Sequence, residues 1–346
     1  MRASTSKTIP GGTAATGFIL WTILLAAHPF AQAQPAPESG TDGRYAILLA
    51  GASGNEELQK TYLDEIRKLH SILVGPLGFA HDSVITLFDS PEMDPERIQH
   101  KSTRKEFEQA CLKLAGRKER ASLVFLFIEG HGSYDGKTYK LNLVGPDSTA
   151  RELADALYSI PADRFVVANA TSASGGSLPA FSGRGSIILT STKSGMERNQ
   201  TNWGRYFIES LENNAADSNK DGRVSMLEAF LYAGRKVEEY YKNEGNLQTE
   251  HAILDDNGDA QGQTGPNTET GDGLLAVATF LDGGIGRDRL ESMTPEEREL
   301  ALQAGDLENQ IEVLKSDKAR MDPSEYETKL EELLLKLARI NAKMEN

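Results

Sequence analysis

Cysteine is nearly absent: Cys111 is the only one in 346 residues. A single thiol cannot close an internal disulfide, so stability must come from a packed core rather than cross-links. Cys111 lies in "FEQACLKLAG", where apolar residues recur at helical spacing, and reads as a buried core thiol. Basic residues are also in deficit. Against 51 Asp and Glu there are 37 Lys and Arg, a formal charge of −14 and a pI near 5.0. This excludes a nucleic-acid partner, whose phosphates need a basic face. The acidic excess suits a solvated exported surface or cation binding, and is compatible with a peptide or protein partner.

Long apolar runs are missing beyond the N-terminus. The one present, "GFILWTILLAA" from Gly17 to Ala27, is shorter than the roughly 20 residues a membrane span needs. It follows Arg2 and Lys7 and precedes Ala31-Gln32-Ala33, a small-x-small cleavage pattern. The segment reads as a signal peptide removed after Ala33, which predicts a secreted or periplasmic protein with no stable membrane span; the alternative is a membrane anchor. No acid precedes Glu38, so removal takes away two positive charges and leaves 35 − 51 = −16. Residues 34–43 read as a Pro/Gly/Ser linker.

From Arg44 the chain alternates strands and helices. "YAILLAGA" (45–52), "SVITLF" (83–88), "SLVFLFIEG" (122–130), "RFVVANA" (164–170) and "GSIILTST" (185–192) are apolar runs of buried strands. Between them, 56–73, 102–116 and 149–160 have helical periodicity, with Ser102 as the expected N-cap of the second. The pattern predicts an α/β fold, a largely parallel sheet with helices on both faces. Ligands in such sheets sit beyond the carboxyl ends of the strands. "GLLAVATFL" (273–281) reads as a late strand.

Residues 291–346 differ. Thr294-Pro295-Glu297 and Asp322-Pro323-Glu325 are capping boxes with Pro at the first helical position. Behind the first, Leu300, Leu307, Leu314 and Met321 recur every seven residues, with Ile311 between. Behind the second come Tyr326, Leu330, Leu333, Leu337, Ile340 and Met344. These coiled-coil seams predict an antiparallel helical hairpin, either packed on its own domain or serving as a homo-oligomerisation arm.

Two strand ends carry the chemistry. In "FLFIEGHGSYDG" a buried strand runs into Gly130-His131-Gly132, which leaves the imidazole at a sharp turn. In "RFVVANATSASGG" the next strand runs into Ser172 and Ser174 before two glycines. Histidine on one strand end and a nucleophile turn on the next resemble the caspase-like cysteine peptidases, most closely their legumain branch. That resemblance spans roughly residues 44–245. It implies a caspase-like three-layer sandwich, with His131 in the histidine position and Ser172 where the family has cysteine. A serine hydroxyl is far less acidic than a thiol and needs a base oriented by a third group. Glu129 shares the His131 strand, whereas Cys111 precedes it on a helix. The replacement favours a catalytically inactive relative over an active serine hydrolase using Ser172 and His131. A third reading takes Ser174 as an elbow nucleophile in "SASGG", with His251 as its base.

"DSNKDGRVSMLE" (217–228) fits an EF-hand calcium loop at every position. Asp217, Asn219, Asp221 and Glu228 supply side-chain oxygens, Arg223 its carbonyl, and Ser225 a direct or water-mediated contact. The cofactor expected is Ca²⁺, in a structural role. "LDDNGDAQG" (254–262) echoes the motif through Asp255, Asn257 and Asp259, but has Ala260 in the glycine position and Pro266 at the twelfth; it reads as a turn, or at best a weak site. Together these features predict an exported, calcium-binding pseudo-peptidase that holds a peptide or protein partner. The alternatives are an active serine-type hydrolase and a scaffold assembled through the C-terminal helices.

Overall fold

Strand β1 (Arg44–Ala50) is buried along all seven residues, because it lies inside a sheet covered on both faces. The computed structural model describes residues 43–183, 185–212, 215–266, 271–282 and 321–344, with Thr294, Leu300, Ala304, Leu307, Ile311 and Leu314. The other main-sheet strands are β2 (Val84–Phe88), β3 (His100–Lys101), β4 (Leu123–Glu129), β8 (Phe165–Asn169), β9 (Ser186–Thr190) and β10 (Ile253–Asp255). Their order is β10-β9-β8-β4-β1-β2-β3. Every pairing is parallel except that of β10 on β9. The order reverses between β1 and β4, where an open α/β sheet forms its crevice. A three-stranded antiparallel sheet, β5 (Gly132–Tyr134), β6 (Tyr139–Leu141) and β7 (Ser148–Thr149), follows directly after β4.

Alternation along the strands divides the core. Ala46, Leu48, Phe125 and Phe127 face one way, onto α1 (Glu56–Val74), α5 (Trp203–Glu212) and α6 (Met226–Asn243). Tyr45, Ile47, Val124 and Leu126 face the other, onto α2 (Arg104–Ala115), α3 (Ala150–Leu157) and α4 (Leu178–Phe181). The result is helices on both sides of a largely parallel, mixed sheet. Cys111 is fully buried in the second layer, and burial pushes its thiol up to about 12.

Helix starts follow local chemistry. Asn55 caps α1 by accepting from Leu58 N at 2.9 Å. Thr149 and Glu152 form a reciprocal capping box on α3. At α2 the cap is Thr103, accepting from Glu106 N at 3.2 Å, rather than Ser102. Ser102 is drawn into the sheet instead, its N–H donating to Phe88 O at 2.8 Å.

The apolar run 273–281 is not a strand. It forms a short helix, α7 (Leu274–Val277), because Asp256 accepts from Gly273, Leu275 and Ala276 N at 2.8 Å each and fixes a helical turn. Only Phe280 pairs in strand fashion, in an isolated bridge with Ser225.

The C-terminal helix α8 (Pro323–Met344) starts where the second capping motif places it. Asp322 Oδ1 accepts from Ser324 N at 2.9 Å and Glu325 N at 3.3 Å. Tyr326 is buried, and Leu330, Leu333, Leu337 and Ile340 make a half-exposed stripe. Leu300, Leu307, Ile311 and Leu314 are helical, the last three buried. Most of the first capping box and the leader and linker (residues 1–42) lie outside the described residues. Among the described residues, no helix is long and apolar enough to cross a membrane.

Candidate functional site

Parallel register brings the two strand ends together: Ile128 of β4 stands opposite Asn169 of β8. Beyond β4 the backbone turns at Gly130, whose φ is +125°, and packs on Gly51 at the end of β1. A Cβ at Gly132 would meet Ser172 O at 2.3 Å and the Tyr139 ring at 2.5 Å, so only glycine fits there. Both glycines around His131 thus serve close packing of the turn.

Ser172 is buried against that turn. Its Oγ accepts from Gly132 N at 3.1 Å and donates to Gly132 O at 2.9 Å. The hydroxyl hydrogen therefore points at a carbonyl, which cannot act as a base. The half-buried His131 ring makes an edge contact with Tyr62, centroids 6.3 Å apart. No hydrogen bond joins the ring to Ser172 among the described residues.

The turn is welded to its surroundings. Tyr139 Oη and Thr171 Oγ1 are 2.6 Å apart, and Thr171 donates to Asn169 Oδ1 at 2.8 Å. Burial raises the Tyr139 phenol to about 12. Ala173 is fully buried at φ 56°, a left-handed conformation that costs a non-glycine residue about 1 kcal/mol. Its N–H donates to Glu197 O at 2.7 Å.

Ser174 is an interior residue. Its Oγ is 3.0 Å from Ser191 Oγ and accepts from Thr192 N at 3.1 Å. It lies in a buried hydroxyl cluster, not on an exposed elbow. His251 is oriented instead by Glu197, Nδ1 to Oε1 at 2.6 Å. The pair is 54 positions apart in the chain, and no local pattern would have announced it.

Glu129 does not serve as the third group for His131. Its Oε1 accepts from Gly130 N at 3.2 Å, and its Oε2 is buried without a hydrogen-bond partner beside Gly204. The carboxyl faces Glu65 on α1. Burial, then the neighbouring Glu65, holds Glu129 well above the usual carboxylate range, and burial also raises Glu65. Burial and both glutamates push the Tyr62 phenol up in turn. This acidic pair was not legible in the sequence, since Glu65 lies on α1, far from the motif.

The 217–228 loop adopts the backbone its motif calls for. Gly222 has φ +86°, and its N–H donates to Asp217 Oδ2 at 2.9 Å. Asp221 N donates to Asn219 Oδ1 at 2.8 Å and Arg223 N to Asp221 Oδ1 at 2.9 Å. Glu228 folds back over the loop, Oε1 accepting from Ser218 N at 3.0 Å and Oε2 from Ser225 N at 2.9 Å. The Arg223 guanidinium turns outward, paired with Asp282 and stacked 3.7 Å above the Phe280 ring. The donor set consists of hard oxygens and suits calcium. As the side chains stand, no group of three or more His, Cys, Asp or Glu among the described residues is placed to hold a metal ion.

Compared with known proteins, the chain matches no family model and no curated sequence.

The Glu65–Glu129 pair sets a pH dependence. Both groups hold protons to higher pH when folded than when unfolded, so the folded state binds more protons above the ordinary Glu range. The pair's contribution to stability is then fully present in acid and is lost as pH rises through the raised titration. Glu129→Gln keeps a donor towards Glu65 and removes the buried charge. The variant should match wild type in mild acid and exceed it by about 1 kcal/mol in mild alkali. Thermal melts that run parallel for the two proteins across this range would contradict the assignment.

Proposed function

We propose that the protein is an exported, calcium-binding relative of the caspase- and legumain-like peptidases that holds a peptide or protein partner without cutting it. The observation that carries this reading is the Ser172 hydroxyl, whose donor and acceptor capacities are both taken up by the Gly132 backbone. Attack by a serine needs its proton handed to a base in the same step. Here the proton faces a carbonyl, no carboxylate among the described residues is hydrogen-bonded to the His131 ring, and Glu129 accepts from Gly130 N instead. The two strand ends remain, next to the point where the strand order reverses, which is where open α/β sheets bind ligands. The likeness to the family rests on that arrangement: Gly-His-Gly after β4, and Ser172 followed by Ser-Gly-Gly after β8.

Calcium enters the reading as a structural ion in the 217–228 loop. Asp217, Asn219, Asp221 and Glu228, with the Arg223 carbonyl and Ser225, would hold it between α5 and α6. Three carboxylates in one short loop repel each other, and a divalent cation relieves that repulsion.

A fluorophosphonate probe tests the inert site. Folded protein should gain no mass at Ser172; an adduct that disappears in both Ser172→Ala and His131→Ala would establish a serine hydrolase instead. Melting with chelator and then calcium tests the loop. At an ion concentration ten times Kd, linkage gives about 1.4 kcal/mol of extra stability. Glu228→Gln should lose most of that increment. Equal melting temperatures for wild type with and without calcium would reduce the loop to a polar turn.

A further inference from the structure

A second loop repeats the backbone of the first, where the sequence alone suggested a turn, or at best a weak site. Asp255, Asn257 and Asp259 occupy its first, third and fifth positions. The sixth N–H donates to the first carboxylate in both loops: Gly222 to Asp217 Oδ2 at 2.9 Å, Ala260 to Asp255 Oδ2 at 3.1 Å. The fifth N–H donates to the third side chain at 2.8 Å in each. The seventh donates to the fifth, at 2.9 Å from Arg223 and 2.7 Å from Gln261. Fourth and sixth residues are left-handed in both, with φ 59° and 86° at Lys220 and Gly222, and 82° and 61° at Gly258 and Ala260. Ala260 therefore takes the conformation for which the motif asks a glycine. Paired bonds between Leu254 and Gln263, at 2.9 and 2.8 Å, close the loop at its base.

A repeated turn is not by itself a site; the independent sign is Asp272. It is fully buried, held between Gly271 and Gly273, both at left-handed φ. Its Oδ1 accepts from Asp256 N at 3.2 Å, while Oδ2 is buried with no hydrogen-bond partner. A Cβ on Gly271 would lie 3.2 Å from Asn257 Nδ2, so this segment passes against the loop's third position. The neighbouring charges that bear on Asp272 are the carboxylates of Asp255 and Asp256. Among the described residues, no salt bridge relieves any of the three. Asp256 is accounted for, since three N–H groups of the α7 start bind it. The free oxygen of Asp272 is not. A buried carboxylate oxygen without a donor is disfavoured unless a cation or a proton meets it.

We propose that Asp255, Asn257, Asp259 and Asp272, with the Gln261 carbonyl, form a second calcium site. Asp272 supplies from a later segment the carboxylate that Pro266 cannot supply at the twelfth position. All the donors are hard oxygens, and a carboxylate oxygen that accepts an N–H keeps a further lone pair for an ion. Binding requires the side chains to swing inward from their present positions. The ion would fasten β10 to the 271–282 segment, which also touches the first loop through Thr279 O and Phe280. The two sites share no ligand, and neither proposal depends on the other.

The test is calcium titration calorimetry on the chelator-treated full chain, with magnesium as control. Wild type should bind two ions. Asp272→Asn, which keeps an acceptor for Asp256 N, should bind one, as should Asp259→Ala at an exposed loop position. Glu228→Gln should also bind one, and Asp272→Asn combined with Glu228→Gln none. If Asp272→Asn does not fold, Asp259→Ala alone carries the test. A single ion that survives Asp272→Asn and Asp259→Ala but not Glu228→Gln overturns the second site and leaves the first. A single ion with the reverse pattern overturns the first and supports the second. Absence of calcium binding by wild type overturns both. Asp272→Asn that raises the melting temperature equally with and without calcium, at unchanged stoichiometry, would show a proton on Oδ2 and overturn the proposal.

Discussion

The parallel pairing of β4 with β8 is the constraint on which the candidate site depends. Once Ile128 is opposite Asn169, the turns that follow must pack side by side beyond the sheet. The space between them is too small for a side chain at Gly132. That closeness puts the Ser172 hydroxyl within reach of both polar groups of the Gly132 backbone, and it is satisfied there. The same geometry that could present a nucleophile to a base here fastens one turn to the next. A thiol in place of the hydroxyl would be a weaker donor and acceptor, and would have less reason to stay on that backbone.

Acid distribution is the second theme. Carboxylates meet in three tight places among the described residues. Glu65 faces Glu129 at the end of β4; Asp217, Asp221 and Glu228 crowd one loop; Asp255, Asp256 and Asp272 meet at the end of β10. These clusters handle like charge differently. In the first, burial raises both carboxyls above the usual carboxylate range. In the loops, carboxylates are bound by backbone N–H groups, which fix tight turns but leave net negative charge. The 271–282 segment ties two of the clusters together, because Asp256 starts its helix and Phe280 bridges Ser225.

Much of the layered architecture was legible in the sequence. Doubly buried strands are uninterrupted apolar runs, and β1, β2, β4, β8 and β9 lie within a residue or two of where such runs placed them. The start of α8 was legible because Asp322, Pro323 and Glu325 mark a cap and a first helical turn together. Ser102 was misjudged because its backbone is claimed by the sheet, which local pattern does not reveal. The 273–281 run was misjudged because Asp256, far back in the chain, caps it as a helix. At the site, the two glycine-flanked turns could be read, but not the direction of the Ser172 proton or the Glu65 contact. Ala260 looked disqualifying on propensity, yet closure by Leu254 and Gln263 holds it left-handed.

The central claim is that Ser172 is a structural hydroxyl. A serine held ready for chemistry is often tolerated at some cost in stability, and its removal leaves stability unchanged or raises it. A serine that satisfies two backbone groups has the opposite signature. Chemical unfolding of Ser172→Ala against wild type, in the presence of calcium, separates the two most directly. The account predicts a loss of about 1–3 kcal/mol, from Gly132 N–H and C=O left without their partner. An unchanged or increased unfolding free energy would contradict it and return Ser172 to the role of a poised nucleophile.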